Sequence, residues 1–346
     1  MQSVKRKVGS TGHYFESGFA HEHSCSHTLN FTLYSFFPKR NSYIDYEFVT
    51  FYIPCMSLER LKKAWADHGR QFGQYQFVYP VVSRRAGGIS LGINLNPDLN
   101  CNFDCPYCQV DRTVAPESLP IFSLAGLRTE LELAVAHWQH NKFTDSPRFQ
   151  GLADSQLDLK DFCMSGDGEP TMVQDFAEVC GLLAEMQQSV ASLIPQELKL
   201  VLITNATLLH KDSVRAGLAI LTQKNGEIWG KLDAGTEPWF KLMSRSRYTL
   251  DHIEANLTST VRDFPLRVQT MLCTKGNQLP STNELEAYAT RLKRIVASNS
   301  KNLLEVQLYS IVRHTATDDV GPVPAEFLAE TAAWLRTQVK VEINPY

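Results

Sequence analysis

The chain has 346 residues, 43% of them hydrophobic, and a formal net charge of −3 at neutral pH. That is enough apolar material for one substantial core with attachments, and so balanced a charge gives no global basic field to gather nucleic acid. No apolar run is long enough to cross a bilayer and the N-terminus lacks a signal-peptide apolar stretch, so the expectation is a cytoplasmic protein that makes no membrane contact, with its eight cysteines reduced and any cluster of them read as metal ligands.

Residues 1–55 differ from the rest. They mix His21, His23, Cys25 and His27 with aromatics and show neither helical nor strand periodicity. The His/Cys spacing matches no standard zinc module, so the segment reads as a disordered extension or a start assigned too early, with Met56 as the natural first residue. Residues 56–87 form a lead-in. Ser57 caps a helix there, Leu58, Leu61 and Trp65 give it an apolar stripe, and Gly69 stops it.

From 88 to 320 strands and helices alternate. The predicted strands are 89–95, 161–165, 198–204, 227–233, 266–273 and 304–312, each short and rich in Val, Ile, Leu or Phe. Between them lie amphipathic stretches. Phe176, Val179, Leu183, Met186 and Val190 recur at steps of three and four, as do Leu285, Tyr288, Leu292 and Ile295 behind caps at 281–283. A further amphipathic helix at 124–138 sits in the long segment 113–160. Residues 321–346 add a C-terminal extension: a helix at 325–338 after Pro322 and Pro324, then a strand at 339–343. Six β-then-α units favour a parallel sheet joined by right-handed crossovers. Pattern alone leaves an open doubly wound sheet and a barrel both standing.

Directly after the first predicted strand comes Cys101-Asn102-Phe103-Asp104-Cys105-Pro106-Tyr107-Cys108. Three thiolates this close, with the next downstream Cys or His at His137 and His140, suit a metal cluster that keeps one coordination position open. A structural zinc site is closed by four ligands, whereas a 4Fe–4S cluster held by three cysteines leaves one iron free for a small molecule. A zinc- or cluster-bearing binding module is the non-enzymatic alternative. Cys163, Cys180 and Cys273 fall on predicted strands or a helix and read as buried small apolar residues.

At this triplet the chain resembles the radical S-adenosylmethionine superfamily. Tyr107, just before the last cysteine, fits that family's motif, and Gly166-Asp167-Gly168-Glu169-Pro170-Thr171 is similar to its Gly-Glu-Pro turn at the end of the second strand, with an Asp inserted between the glycines. The resemblance spans about residues 75–320. It implies an α/β fold, a partial (βα)6 parallel barrel with N- and C-terminal extensions, and an active site at the C-terminal strand ends. It also implies that Cys101, Cys105 and Cys108 hold a 4Fe–4S cluster whose free iron takes S-adenosylmethionine, and that reductive cleavage yields a 5′-deoxyadenosyl radical that removes hydrogen from a substrate. Phe103, Pro106 and Tyr107 would shield the cluster and contact the adenine, with ordinary loop packing as the plain reading.

Other residues at predicted strand ends carry candidate roles. Glu169 receives the cofactor ammonium, or is simply an acid at a helix N-terminus; Gly166 and Gly168 let backbone approach the methionyl group. Thr204-Asn205-Ala206-Thr207 supplies a polar barrel mouth or a plain turn. Lys231 and Asp233 share one strand face, either as a structural ion pair or with Asp233 on the ribose hydroxyls. Gln269 and Thr270, then Gln307, Tyr309 and Ser310 with Arg313 and His314 beyond, shape the adenine or substrate pocket. Runs such as Lys231-Leu232-Asp233-Ala234-Gly235 look most similar to the uncharacterised branch related to wyosine tRNA-modifying synthases. A glycyl-radical-enzyme activase and a tRNA-modifying enzyme are the enzymatic alternatives. The family implies a flavodoxin or ferredoxin electron donor; the substrate, whether protein, RNA or small molecule, is not legible.

Overall fold

The computed structural model describes four short strands and a helix before residue 67, and from there to Tyr346 all but 68, 71, 113–119, 195–196 and 316. The early strands are β1 (Arg6–Val8), β2 (His13–Glu16), β3 (Phe31–Tyr34) and β4 (Val49–Phe51), paired antiparallel in that order, and α1 follows at Cys55–Ala66. Met1–Lys63 with Gly151–Ala153 form one unit and the remaining residues a second. His21, His23, Cys25 and His27 lie outside the described residues.

The second unit is built on an eight-stranded sheet. Its members are β5 (Val78–Ser83), β6 (Gly88–Ile93), β7 (Leu159–Met164), β8 (Lys199–Thr204), β9 (Gly226–Lys231) and β10 (Leu266–Met271), then, past the short β11 (Cys273–Lys275), β12 (Leu303–Tyr309) and, past β13 (Val320–Pro322), β14 (Ile343–Pro345). Each neighbouring pair is parallel except β5–β6. β11 and β13 pair with each other as a separate ribbon. The crossovers carry α2 (Leu124–Asn141), α3 (Phe176–Val190), α4 (Asp212–Thr222), α5 (Glu237–Ser244), α6 (Leu250–Asp263), α7 (Thr282–Ser298) and α8 (Ala325–Gln338).

Spatial order follows chain order from β5 to β14 with no reversal. A doubly wound sheet needs a switch point where the order turns back. Without one, right-handed crossovers set every helix on the same face, and the twisted sheet curls around the other. This settles the choice that pattern left open, in favour of an open, partial barrel. α3 packs on β8, α4 on β9, α6 on β10, and α8 on β12 and β14. Leu91, Phe162, Leu202, Ile228, Val268 and Val306 on the strands are fully buried, each contributing about 1.5–3 kcal/mol of apolar transfer.

The alternate residues face the concave side, where a charged layer lies beside an apolar one of Cys163, Val201, Ile203 and Trp229. Lys199 meets Glu227 at 2.5 Å and Arg267 meets Glu227 at 2.7 Å. Arg267 also pairs with Glu305, which accepts from Asn344 Nδ2 and the Tyr346 hydroxyl. The strands thus alternate a helix-facing apolar set with a lumen-facing charged belt, as their two-residue period requires.

The six predicted strands are all present, with adjusted ends. The 304–312 strand stops at Tyr309, because Ser310 Oγ donates to Leu272 O and accepts from Val323 N. The 266–273 strand breaks at Leu272 into β10 and β11. The C-terminal strand lies at Ile343–Pro345 and not at 339–343, since Val339 N–H still closes α8 onto Leu335 O. Strands on both sides of 88–320, β5 and β14, belong to the same sheet.

Candidate active site

The C-terminal ends of the parallel strands carry the cysteine loop and the glycine turn side by side, where ligands bind in parallel α/β sheets. The loop leaves β6 at Asn94 and is tied down by later strands. Asn102 Nδ2 donates to Thr207 Oγ1 at 2.7 Å and Asn205 Nδ2 donates to Asn102 Oδ1 at 2.6 Å, both from the end of β8. Ser246 Oγ donates to Asn102 O at 3.1 Å and Asp104 N donates to Ser244 O at 2.9 Å, at the C-terminal end of α5. The Phe103 ring meets Phe240 edge-on at 5.8 Å. The Tyr107 hydroxyl donates to Asp233 Oδ2 at the end of β9.

Cys101, Cys105 and Cys108 are free thiols at the edge of a cavity of about 350 Å3. Burial pushes the Cys101 thiol up to about 11 and raises that of Cys105 further. Arg112 NH1 donates to Cys108 Sγ at 3.4 Å, and Arg112 also donates to Leu99 O at 3.1 Å and to Asp167 O. One guanidinium therefore bridges the cysteine loop and the glycine turn. Among the described residues no three His, Cys, Asp or Glu side chains converge on one point.

The glycine turn is packed hard against the start of the same loop. A Cβ on Gly168 would sit 1.9 Å from Asn100 O, and one on Gly166 2.3 Å from Asn94 Oδ1. Both glycines also line the cavity. The Asp inserted between them holds the turn to the β6 loop. Asp167 Oδ2 accepts from Asn94 Nδ2 at 2.6 Å, its N–H donates to Asn94 Oδ1 at 3.0 Å, and Oδ1 pairs with Arg70 at 2.5 Å. Nearby, Asn96 Oδ1 is buried without a donor among the described residues.

Glu169 is buried, and its own chain uses most of its acceptor capacity. Oε1 accepts from Thr171 N at 3.2 Å, Thr171 Oγ1 at 2.5 Å and Thr204 Oγ1 at 2.5 Å, and Oε2 from Asn205 N at 2.7 Å. It caps a 3-10 turn at Pro170–Met172 and clips β7 to β8. Burial raises its carboxyl above the usual range, and the threonine hydrogen bonds pull the other way.

Lys231 and Asp233 stand 3.2 Å apart, Asp233 buried and Lys231 largely so. Lys231 Nζ also donates to the Tyr309 hydroxyl at 2.6 Å and lies 5.1 Å from the Tyr107 ring centroid and 5.2 Å from that of Tyr309. Burial works against its charge, but the Asp233 carboxylate and the Tyr309 hydroxyl outweigh it and hold the ammonium above its ordinary range. Asp233 Oδ1 accepts from Met271 N at 2.7 Å. Gln269 Nε2 donates to Gln307 Oε1 at 2.9 Å in the lumen. Thr270 faces away, toward Leu232 O and Tyr288, and His314 is exposed.

The cysteines, Tyr107, Gly166, Gly168, Glu169, Asn205 and Gln269 all border the one cavity, and Asp233 reaches it through Tyr107 and Lys231. Cys180 and Cys273 are buried as expected, and Cys163, also buried, borders the cavity as well. Sequence reasoning missed Asn102, which lies inside the cysteine motif, and Arg112, Asp161 and the pair Arg84–Arg85, which sit in no motif and reach the cavity only through the fold.

No family model matches the chain. It is 29% identical over 174 residues to a protein named GTPase Obg from Brachyspira hyodysenteriae, a match covering 50% of this chain and 21% of that one. It is 29% identical over 138 residues to UPF0026 protein MJ1312 from Methanocaldococcus jannaschii, covering 39% of this chain and 35% of that one. The chain thus spans about a third or less of the length of the curated relatives it matches. The sequence contains no Gly-x4-Gly-Lys-Ser/Thr run of the kind that cradles nucleotide phosphates. Among solved structures, that of Streptococcus suis SuiB bound to S-adenosylmethionine is similar in fold, with a TM-score of 0.50 and 12% identity over 75% of this chain and 51% of SuiB. No helix among the described residues is long and apolar enough to cross a membrane.

Proposed function

We propose that this chain is a radical S-adenosylmethionine enzyme. The observation that carries the proposal is the Cys101/Cys105/Cys108 loop at a parallel-strand mouth, locked edge to edge with the Gly166–Glu169 turn over one cavity. The fold it shares with a protein crystallised with S-adenosylmethionine supports the reading.

In this reading Cys101, Cys105 and Cys108 hold a 4Fe–4S cluster, and Gly166, Gly168, Asn205 and Gln269 border the space for the cofactor. When bound, cluster and S-adenosylmethionine together supply one-electron cleavage to a 5′-deoxyadenosyl radical that takes hydrogen from a substrate carbon. The chain's own residues prepare the site. Arg112 donates to Cys108 Sγ and holds that side chain against the glycine turn. Asp233 fixes the Tyr107 ring through its hydroxyl, and Lys231 sits against that ring. Glu169 aligns Thr171, Thr204 and the Asn205 backbone, and so sets the distance between the β7 and β8 mouths. A flavodoxin or ferredoxin supplies the electron in this proposal, in a cytoplasmic setting.

The test is anaerobic reconstitution of the full chain with iron and sulfide, reduction, and addition of S-adenosylmethionine. 5′-Deoxyadenosine and methionine are the expected products. The Cys105→Ala variant is expected to lose them while its far-UV circular dichroism stays unchanged. Full cleavage by that variant, or stable zinc uptake without cleavage by the wild type, would overturn the assignment.

A further inference from the structure

The cavity beneath the cysteine loop holds more positive charge than its own residues balance. Arg70, Arg84, Arg85, Arg112, Arg313 and Lys231 line it, against the carboxyls of Asp161 and Glu169. Arg70 is matched by Asp167 and Lys231 by Asp233, and Arg112 is engaged by Leu99 O, Asp167 O and Cys108. Asp161 is taken by Ser90, and Glu169 by Thr171, Thr204 and Asn205.

Arg84, Arg85 and Arg313 remain, and among the described residues none of them has a carboxylate partner. The Arg85 guanidinium lies over the Tyr309, Trp229 and Tyr346 rings, at 4.6, 5.7 and 5.7 Å from their centroids. The rings fix its position without neutralising it. Arg313 has two long contacts, NH1 to Gln109 Oε1 at 3.4 Å and NH2 to Trp65 O at 3.5 Å, and its Nε is buried with no acceptor among the described residues. Burial, reinforced by the charges of Arg84, Arg85 and Arg70, pushes the Arg313 guanidinium down to about 10. All three guanidinia line the same cavity.

Like charges gathered at a half-buried site oppose folding unless a ligand brings the opposite sign. S-adenosylmethionine does not: it carries a sulfonium and an ammonium against one carboxylate. A 4Fe–4S core on the three thiolates would add a net one or two negative charges, which offset only part of the three unpaired guanidinia. The remaining negative charge is then the other reactant's to bring. Guanidinium forks match phosphate and carboxylate oxygens in two-point fashion, and several unpaired cations lining one cavity favour a dianion over a monoanion. A cavity of about 350 Å3 suits a small molecule.

We propose that Arg84, Arg85 and Arg313 anchor the phosphate group of a small phosphorylated substrate. The word substrate rests on the enzymatic reading above; the binding of phosphate does not.

The test is calorimetric titration of the purified full chain with inorganic phosphate in zwitterionic buffer, with succinate as a carboxylate comparison and a short single-stranded RNA as a polymer comparison. Phosphate is expected to bind, and succinate and RNA to bind more weakly per site. Arg313→Gln and Arg84→Gln are each expected to weaken phosphate binding by about tenfold, the effect of losing one charge-assisted contact. Their thermal midpoints without phosphate are expected to hold or rise, because each removes an unbalanced cation. A structural arginine would lower the midpoint when removed. Absence of phosphate binding, unchanged binding in both variants, lower midpoints in both, or succinate or RNA outcompeting phosphate would overturn the proposal. The phosphate titration needs no iron, sulfide or S-adenosylmethionine, so loss of the radical reading and loss of the anchor register in different assays.

Discussion

Asp161 offers a sharp test of how the lumen is built. It sits on β7, is 4% exposed, and faces the concave side. Ser90 Oγ donates to it, while the nearby Lys199 is committed to Glu227 at 2.5 Å. Burial lifts its carboxyl to about 7; Ser90 and Lys199 work to lower it, and Glu227 to raise it. The folded state thus prefers the protonated acid, against an unfolded value of 3.8. Its contribution to stability is fully present below the unfolded value and is lost as the pH climbs toward 7. The rise of about three units, at 1.36 kcal/mol each, corresponds to about 4 kcal/mol lost by pH 8. Asn at this position keeps the shape of the protonated acid and cannot ionise. Asp161→Asn should therefore stabilise the protein, and by more at high pH. The gap to wild type should widen by about 3 kcal/mol between pH 5 and pH 8, or ~6 °C in thermal midpoint at about 2 °C per kcal/mol for a large domain. Melting both proteins across that pH range by circular dichroism gives the answer. A constant gap, or a variant less stable than wild type at pH 8, would refute the claim that this carboxyl is buried without a cation.

Asp233→Asn leaves Lys231 buried without its counter-charge and should destabilise by about 3–5 kcal/mol. The double variant with Lys231→Met should recover much of that in urea unfolding, and no recovery would show that the pair is not coupled. Gly168→Ala places a methyl group 1.9 Å from Asn100 O, forcing the turn off the cysteine loop at about 1–3 kcal/mol and reducing iron uptake on reconstitution. Gly181→Ala is its control: nothing lies within 4 Å of the added Cβ, so the helix should gain about 0.5–1 kcal/mol with iron uptake unchanged.

The sheet was legible because its strands are short apolar runs separated by helical periodicity, and each predicted strand recurs within a few residues. β5 was not. Pro80 interrupts the apolar run of Val78–Ser83 and reads as a breaker, yet an edge strand tolerates a residue that donates no hydrogen bond. The N–H groups of Gln76, Phe77 and Val78 are instead collected by the Glu130 carboxylate, far along the chain on α2. The thiol triplet was legible for the opposite reason: its chemistry is contained in eight consecutive residues. The arginines around the cavity are not contained in any segment. Arg70, Arg84, Arg85 and Arg313 come from the lead-in, the β5–β6 turn and the far end of β12, and only the curl of the sheet gathers them. The Lys231–Asp233 pairing followed from strand alternation. Its two tyrosines, Tyr107 and Tyr309, come from opposite ends of the core.

A sheet whose spatial order equals its chain order can be laid down in the direction of synthesis. Every new strand meets a finished edge, and none has to be threaded between earlier ones. The cysteine loop is the exception. It leaves the ribosome right behind β6, but the groups that grip it, Thr207, Asp233 and Ser246, follow 105, 126 and 144 residues later. For that stretch of translation the three sulfurs are tethered at one end only, and the nascent chain holds them open to the solution until β8, β9 and α5 arrive to shut the clasp.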